Sequence, residues 1–256
     1  MQKLEKAQKI RFQVWAVVLS GLINSNVFTA AHKAKVDRLI YVGAACAYPH
    51  EKQNDPLHPL FKENDMYPAH PESAYGWGKL MSEIQLNSFH KQYGLKSSSM
   101  RFVTAYGPRE NETHAIIAWI YKALEHMDPY QIWGDGKQER DFTFVDDIVD
   151  GCILAAQSTD TSPINLGTGK KYSVMEVVGM ICEIMNWKPS SFQFDKSKPS
   201  GALSRALDNS RAKEILGWEP KISLKDGLKQ TIGWYVKTHQ PTGKISETKL
   251  LEHQSE

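Results

Sequence analysis

Tyr75 and Lys79, four residues apart in SAYGWGK, are residues whose types and spacing could do chemistry together. Four residues along a helix is about one turn, so the two side chains share a face. An ammonium that near favours the phenolate, and an opposite charge can lower a pKa by roughly one to three units. The pair therefore reads as a general acid/base usable near neutral pH. A bare Y-x-x-x-K also falls by chance on ordinary amphipathic helices, so the reading depends on what surrounds it.

The elements around the pair give that context. Residues 38–42 (RLIYV) form a short apolar run that reads as a buried parallel strand. GAACAYP follows at its C-terminal end, the edge where open α/β sheets bind ligands. A polar loop rich in Pro, Asn and Asp spans residues 50–71, and the Tyr75/Lys79 helix then runs to about Tyr93. Residues 97–104 (SSSMRFVT) read as the next strand and 115–125 as a helix. Residues 130–133 read as a strand before a Gly-Asp-Gly turn. Phe142 to Val145 leads into a helix opened by Asp146 and Asp147, and INLG at 164–167 reads as a strand. Ser173 with Glu176 three residues on is a capping-box pattern. A short strand at 192–194 and helices over 209–216 and 224–238 complete the pattern. Strand–helix alternation predicts a parallel sheet with crossover helices.

Composition narrows the class. The chain has 256 residues, 41% of them apolar, with seven tryptophans, enough for a sizeable core. Its 31 basic and 29 acidic residues leave a net charge of +2, with no basic stripe interleaved with aromatics. Nucleic acid is therefore not an expected partner. Cys46, Cys152 and Cys182 are too few and too scattered for a disulfide or metal framework, which suits a reducing, cytoplasmic setting. No metal site and no membrane partner is expected. The basic start (1–11) and apolar stretch (12–23) faintly resemble a signal peptide. The apolar part is too short to span a bilayer, and an amphipathic helix, or a non-native start replacing something longer, fits better. Residues 24–35 read as a helix, and the tail from Gln240 as polar and frayed.

The ordered set GAACAYP, SAYGWGK, RFVTAYGP, WGDGKQERDFTFVDD, INLGTG and LGWEPKISLKDGL resembles the extended short-chain dehydrogenase/reductase (NAD-dependent epimerase/dehydratase) family of nucleotide-sugar enzymes. GAACAYP and FDKSKPSGALSRALD are most similar to its GDP-L-fucose synthase and GDP-mannose 3,5-epimerase branches. The resemblance covers about residues 24–239. It implies bound NAD or NADP, with Tyr75 exchanging the sugar hydroxyl proton and Lys79 holding the nicotinamide ribose. Phe102 falls at a further cofactor-contacting position. In those two branches a Cys and a His or Lys epimerise carbons beside a keto group, and Cys46 and His114 occupy those places. A thiolate can serve as such a base when a cation lowers its pKa. The family's substrate pyrophosphate is gripped by arginines at the positions of Arg140 and Arg205, and guanidinium suits that contact. The adjacent Asp146 and Asp147 fit a helix N-terminus better than a metal pair.

The sequence departs from that pattern in three places. No G-x-x-G-x-x-G occurs, so the chain looks like a member lacking its N-terminal βαβ part. Ala44 stands where the family has a catalytic Ser or Thr; losing such a donor typically costs about 10²–10³ in rate. Thr104 stands where an Asn near the substrate is usual.

The expected fold is therefore α/β: a partial Rossmann-like parallel sheet over residues 1–105 with its first strands missing. A mixed α/β substrate lobe over 106–240 and a polar tail over 241–256 complete it. The expected function is an NAD(P)-dependent epimerase/reductase of a nucleotide sugar, GDP-linked by resemblance, dimeric through the Tyr75 helix. The alternative is a catalytically impaired relative that binds nucleotide sugars or another subunit.

Overall fold

The protein's computed structural model describes residues 2–198 and 201–239, with side chains from residue 18 onward. The tail over 241–256 and part of the FDKSKPSGALSRALD segment thus lie outside the described residues. Helix α1 (Gln2–Lys33) leads into β1 (Leu39–Val42), which ends at a 3₁₀ turn over Ala45–Ala47. A short helix α2 (His50–Gln53), α3 (Ala74–Tyr93), β2 (Ser97–Arg101) and β3 (Thr104–Tyr106) follow. Next come α4 (Ala115–Leu124), β4 (Tyr130–Trp133), β5 (Glu139–Arg140), β6 (Phe142–Phe144) and α5 (Val145–Gln157). The chain continues through β7 (Ile164–Asn165), β8 (Tyr172–Ser173), α6 (Val174–Ile184) and β9 (Phe192–Asp195). It closes with β10 (Ser204–Arg205), α7 (Ser210–Leu216) and α8 (Leu224–Thr238).

A parallel three-stranded sheet in the order β1-β2-β7 is the platform. Leu39 pairs with Ser97 and Val42 with Met100, while Met100 and Arg101 pair with Ile164 and Asn165. Period-two alternation sorts β2 onto two faces. Met100 enters an apolar cluster with Ile148, Ile164, Leu166 and Trp218. Ser99 and Arg101 turn instead to Glu83 on α3. The partial Rossmann-like parallel sheet expected from the sequence is present.

Residues 97–104, read as one strand, are two. The Phe102 carbonyl accepts from Ala45 N at 3.1 Å, and Thr104 N donates to the Asp141 carbonyl at 3.2 Å. The chain therefore leaves the main sheet and pairs β3 with β6 in parallel. The residues read as a helix from 24 belong to the longer α1, and the 50–71 loop contains α2.

Capping sets the helix that bears the pair. The Ser73 hydroxyl accepts from Gly76 N at 3.2 Å, and Gly94 closes α3 at φ 71. The capping box read at Ser173 and Glu176 is formed. A second core under α4, α6 and α8 gathers Ile116, Tyr130, Phe144, Ile181 and Leu228. Buried Asp141 ties that half to the sheet: its carboxylate accepts from Thr168 N, Thr168 Oγ1, Gly169 N and Leu207 N. Among the described residues no helix is long and apolar enough to cross a membrane.

Candidate functional site

The first turn of α3 lies directly on the turn that follows β1. A Cβ at Gly76 would stand 2.5 Å from the Cys46 carbonyl oxygen, so this contact requires glycine. One turn further on, Lys79 Nζ donates to the Val42 carbonyl, the last of β1, at 2.8 Å. The same ammonium sits 5.5 Å from the centre of the Tyr75 ring and 5.2 Å from that of Tyr41. Tyr75 and Lys79 thus share a face at the C-terminal edge of the parallel sheet, and Tyr75 is 51% exposed there.

The electrostatics differ from the sequence expectation. Tyr75 is pushed up to about 12 rather than down, by burial first and then by the Cys46 and Tyr41 groups. Lys79 spends its hydrogen bond on Val42 and its charge on two ring faces, so the phenol oxygen gains no direct cation. Burial lowers the pKa of Lys79 itself, with Cys46 and Glu83 working the other way.

Cys46 belongs to this cluster. Burial raises its thiol pKa, Arg205 and Lys79 pull it down, and Glu72 pushes it up. Arg205 comes from β10, whose parallel register sets it opposite Arg140 of β5. Burial lowers Arg140 to about 10, the neighbouring Arg205 charge adds to that, and Glu72 opposes it. Arg140 Nη1 donates to the Glu139 carbonyl at 2.7 Å. Arg205 Nη2 stands 3.5 Å from Glu72 Oε2. Two guanidiniums, an ammonium, a thiol and a phenol therefore converge at one strand edge.

The remaining candidates lie around or away from this cluster. Ala44 is buried at the N-cap of the Cys46 turn, extended at φ −156 and ψ 144. Phe102 is half-buried against the Met100–Ile148 cluster. Thr104 opens β3, half-buried. His114 caps α4 with an exposed ring, and its recorded partner is Glu110, with Nδ1 3.2 Å from Oε1. Burial pushes Glu110 up to about 7. Asp147 is buried and accepts from Lys221 N and Ile222 N at 3.0 Å, a structural role. Among the described residues no group of three His, Cys, Asp or Glu side chains could hold a metal ion.

Sequence reasoning missed Glu72, Tyr41 and the buried Arg101–Glu83 pair (2.6 Å) behind α3. The last had a signal: Glu83 follows Lys79 by four, and an Arg ends a strand buried throughout. Glu72, an acid just before an N-cap, had none.

An ammonium and an exposed phenol on one helix face are groups chemically suited to the hydroxyls of a nicotinamide ribose. The Gly-rich helix-start turn that would cradle a dinucleotide's pyrophosphate is not among the described residues.

Residues 19–167 match the NAD dependent epimerase/dehydratase family. The chain is 34% identical over 217 residues to GDP-mannose 3,5-epimerase of Arabidopsis thaliana, covering 83% of this chain. It spans 57% of the length of that relative. UDP-glucose 4-epimerase of Thermotoga maritima, solved with UDP-glucose, superposes with a TM-score of 0.76 at 29% identity, over 84% of this chain and 68% of its own. UDP-glucuronic acid 4-epimerase of Bacillus cereus, solved with UDP-glucuronic acid and NAD, gives a TM-score of 0.76 at 27% identity, over 85% of this chain and 67% of its own. With its parallel sheet, its Tyr-Lys helix at the strand edge and these matches, the chain belongs to the NAD-dependent epimerase/dehydratase family.

Proposed function

We propose that the Cys46–Tyr75–Arg140–Arg205 edge binds a nucleotide sugar and, with NAD or NADP, supports epimerase/reductase chemistry on its hexose. The carrying observation is the Arg140–Arg205 pair held in register beside Tyr75, Lys79 and Cys46. Paired guanidiniums in a half-buried setting match a diphosphate in charge and geometry. NAD(P), when bound, supplies hydride transfer. Tyr75 and Lys79 would orient the ribose and exchange the sugar hydroxyl proton, and Phe102 would line the cofactor side. Cys46 and His114 would be the epimerising pair. Ala44 and Thr104 would border the sugar. Residues 1–105 form the cofactor part on this reading and 106–240 the substrate lobe. A GDP-linked substrate is favoured by the similarity to GDP-mannose 3,5-epimerase.

Calorimetry with GDP-mannose tests the binding half. Arg140→Ala should lose at least about thirtyfold in affinity, the lower end of the 2–5 kcal/mol typical of a buried charge contact. Unchanged affinity would end the diphosphate reading.

Ala44 favours a second reading: a relative that binds nucleotide sugars without turning them over. A hydroxyl at that position would donate to the reacting oxygen, and alanine has none.

The partner on either reading is a second copy. Trp77, Met81 and Ile84 form an exposed apolar stripe on α3, spaced by four and three. Leu19, Leu22 and Ile23 are exposed on the adjoining α1. Two such pairs would close a four-helix contact. Light scattering should give a dimer mass, and Met81→Arg with Ile84→Arg should give a monomer with little change in Tm. A monomeric wild type would rule the contact out.

A further inference from the structure

We propose that Glu72 is a resident counter-ion which an anionic ligand must displace from Arg205, so that Glu72 sets how much negative charge the cleft demands. This rests on the reading of Arg140 and Arg205 as a diphosphate site.

Arg205 is under-satisfied. A guanidinium offers five donors. Its side chain is only 13% exposed, yet its ion pair with Glu72 spans 3.5 Å, and its buried Nε has no partner. Arg140 stands opposite on the paired strand, and its pKa is lowered by burial and then by Arg205. The Glu72 carboxylate acts on both guanidiniums, and the Lys79 ammonium acts on the same Cys46 thiol. A doubly charged diphosphate would match that field better than a single carboxylate does.

Glu72 is built to leave. Its side chain is 32% exposed, against 13% for Arg205, so a water-side exit is open to the acid and not to the base. It precedes the N-cap Ser73 and lies outside α3, so moving it breaks no helical hydrogen bond. At 3.5 Å, with the acid's end partly exposed, the pair holds Glu72 less tightly than a close, fully buried pair would. Burial chiefly raises the Cys46 thiol pKa, Arg205 and Lys79 oppose it, and Glu72 adds to the rise. Tyr75 and Tyr41 are the other titratable groups that interact with that thiol. Glu72 and the Cys46 thiol thus share one field: removing the carboxylate by mutation lowers the thiol pKa, whereas a doubly charged ligand taking its place does not.

The test is calorimetry with inorganic pyrophosphate on wild type, Glu72→Gln, Glu72→Ala and Arg140→Ala. It is paired with the pH dependence of Cys46 alkylation by iodoacetamide, read by peptide mass spectrometry to separate Cys46 from Cys152 and Cys182. Both Glu72 variants should bind pyrophosphate about tenfold tighter than wild type, equal to about 1.4 kcal/mol. Their Cys46 alkylation midpoint should move to lower pH. If both variants bind equally or more weakly while Arg140→Ala loses binding, Glu72 is a strut, the displacement idea is wrong and the diphosphate reading stands. If Arg140→Ala binds as wild type does, or no variant binds, the diphosphate reading fails and this inference fails with it.

Discussion

Arg101→Leu should destabilise the protein by about 3–5 kcal/mol, because it leaves the Glu83 carboxylate buried without its cation. The two side chains are 4% and 7% exposed, and Nη2 meets Oε2 at 2.6 Å. Burial works against the Arg101 charge, yet Glu83 and the Tyr48 hydroxyl outweigh it and raise its pKa. The pair joins several elements at once. Arg101 Nη1 donates to Tyr48 Oη and to the Glu63 carbonyl, both at 3.2 Å, and Tyr48 Oη donates to Asn165 Oδ1 at 2.7 Å. The network therefore fixes α3, β2, β7 and the loop after Cys46 relative to one another, and Lys79 is one turn from Glu83. Urea denaturation of Arg101→Leu, Glu83→Leu and the double variant measures it. The double variant should recover most of the loss, since apolar replacement of a whole buried pair is often close to neutral. A single-variant loss below about 1 kcal/mol would mean that packing alone holds α3 in place.

The parts of the site legible in the sequence are those set by short spacing. Tyr75 and Lys79 share a face because a helix repeats every 3.6 residues. The capping box at Ser173 was legible for the same reason. What depends on chain reversal was not. Arg140 and Arg205 were paired only through the family resemblance, and the parallel β5–β10 register is what sets them opposite each other. The break at Phe102 comes from hydrogen bonds to Ala45 and Asp141, both distant in sequence. The upward shift of Tyr75 reverses a local argument. Helical spacing brings an ammonium near the ring, but burial first, then Cys46 and Tyr41, raises the phenol pKa, while Lys79 donates to the Val42 carbonyl. Glu72 gained meaning only from the strand it faces.

Ala44→Ser should raise turnover of a GDP-hexose, assayed with NAD or NADP, by about 10²–10³ over wild type. Residue 44 is bracketed by two contacts with the helix bearing the pair: Val42 receives the Lys79 ammonium, and Cys46 lies against Gly76. A hydroxyl there would stand at the N-cap of the Ala45–Ala47 turn, whose present cap makes no side-chain hydrogen bond. Serine at an N-cap stabilises by about 0.5–2 kcal/mol over alanine. That gain cannot imitate catalysis, because a protein already folded has almost no further active fraction to recover. Tyr75→Phe in the Ala44→Ser background should remove the increase, which ties it to proton exchange at the phenol. If Ala44→Ser leaves turnover undetectable while calorimetry shows both NAD(P) and GDP-mannose bound, the chain recognises nucleotide sugars without transforming them. The missing hydroxyl would then mark a binding role rather than a repairable defect.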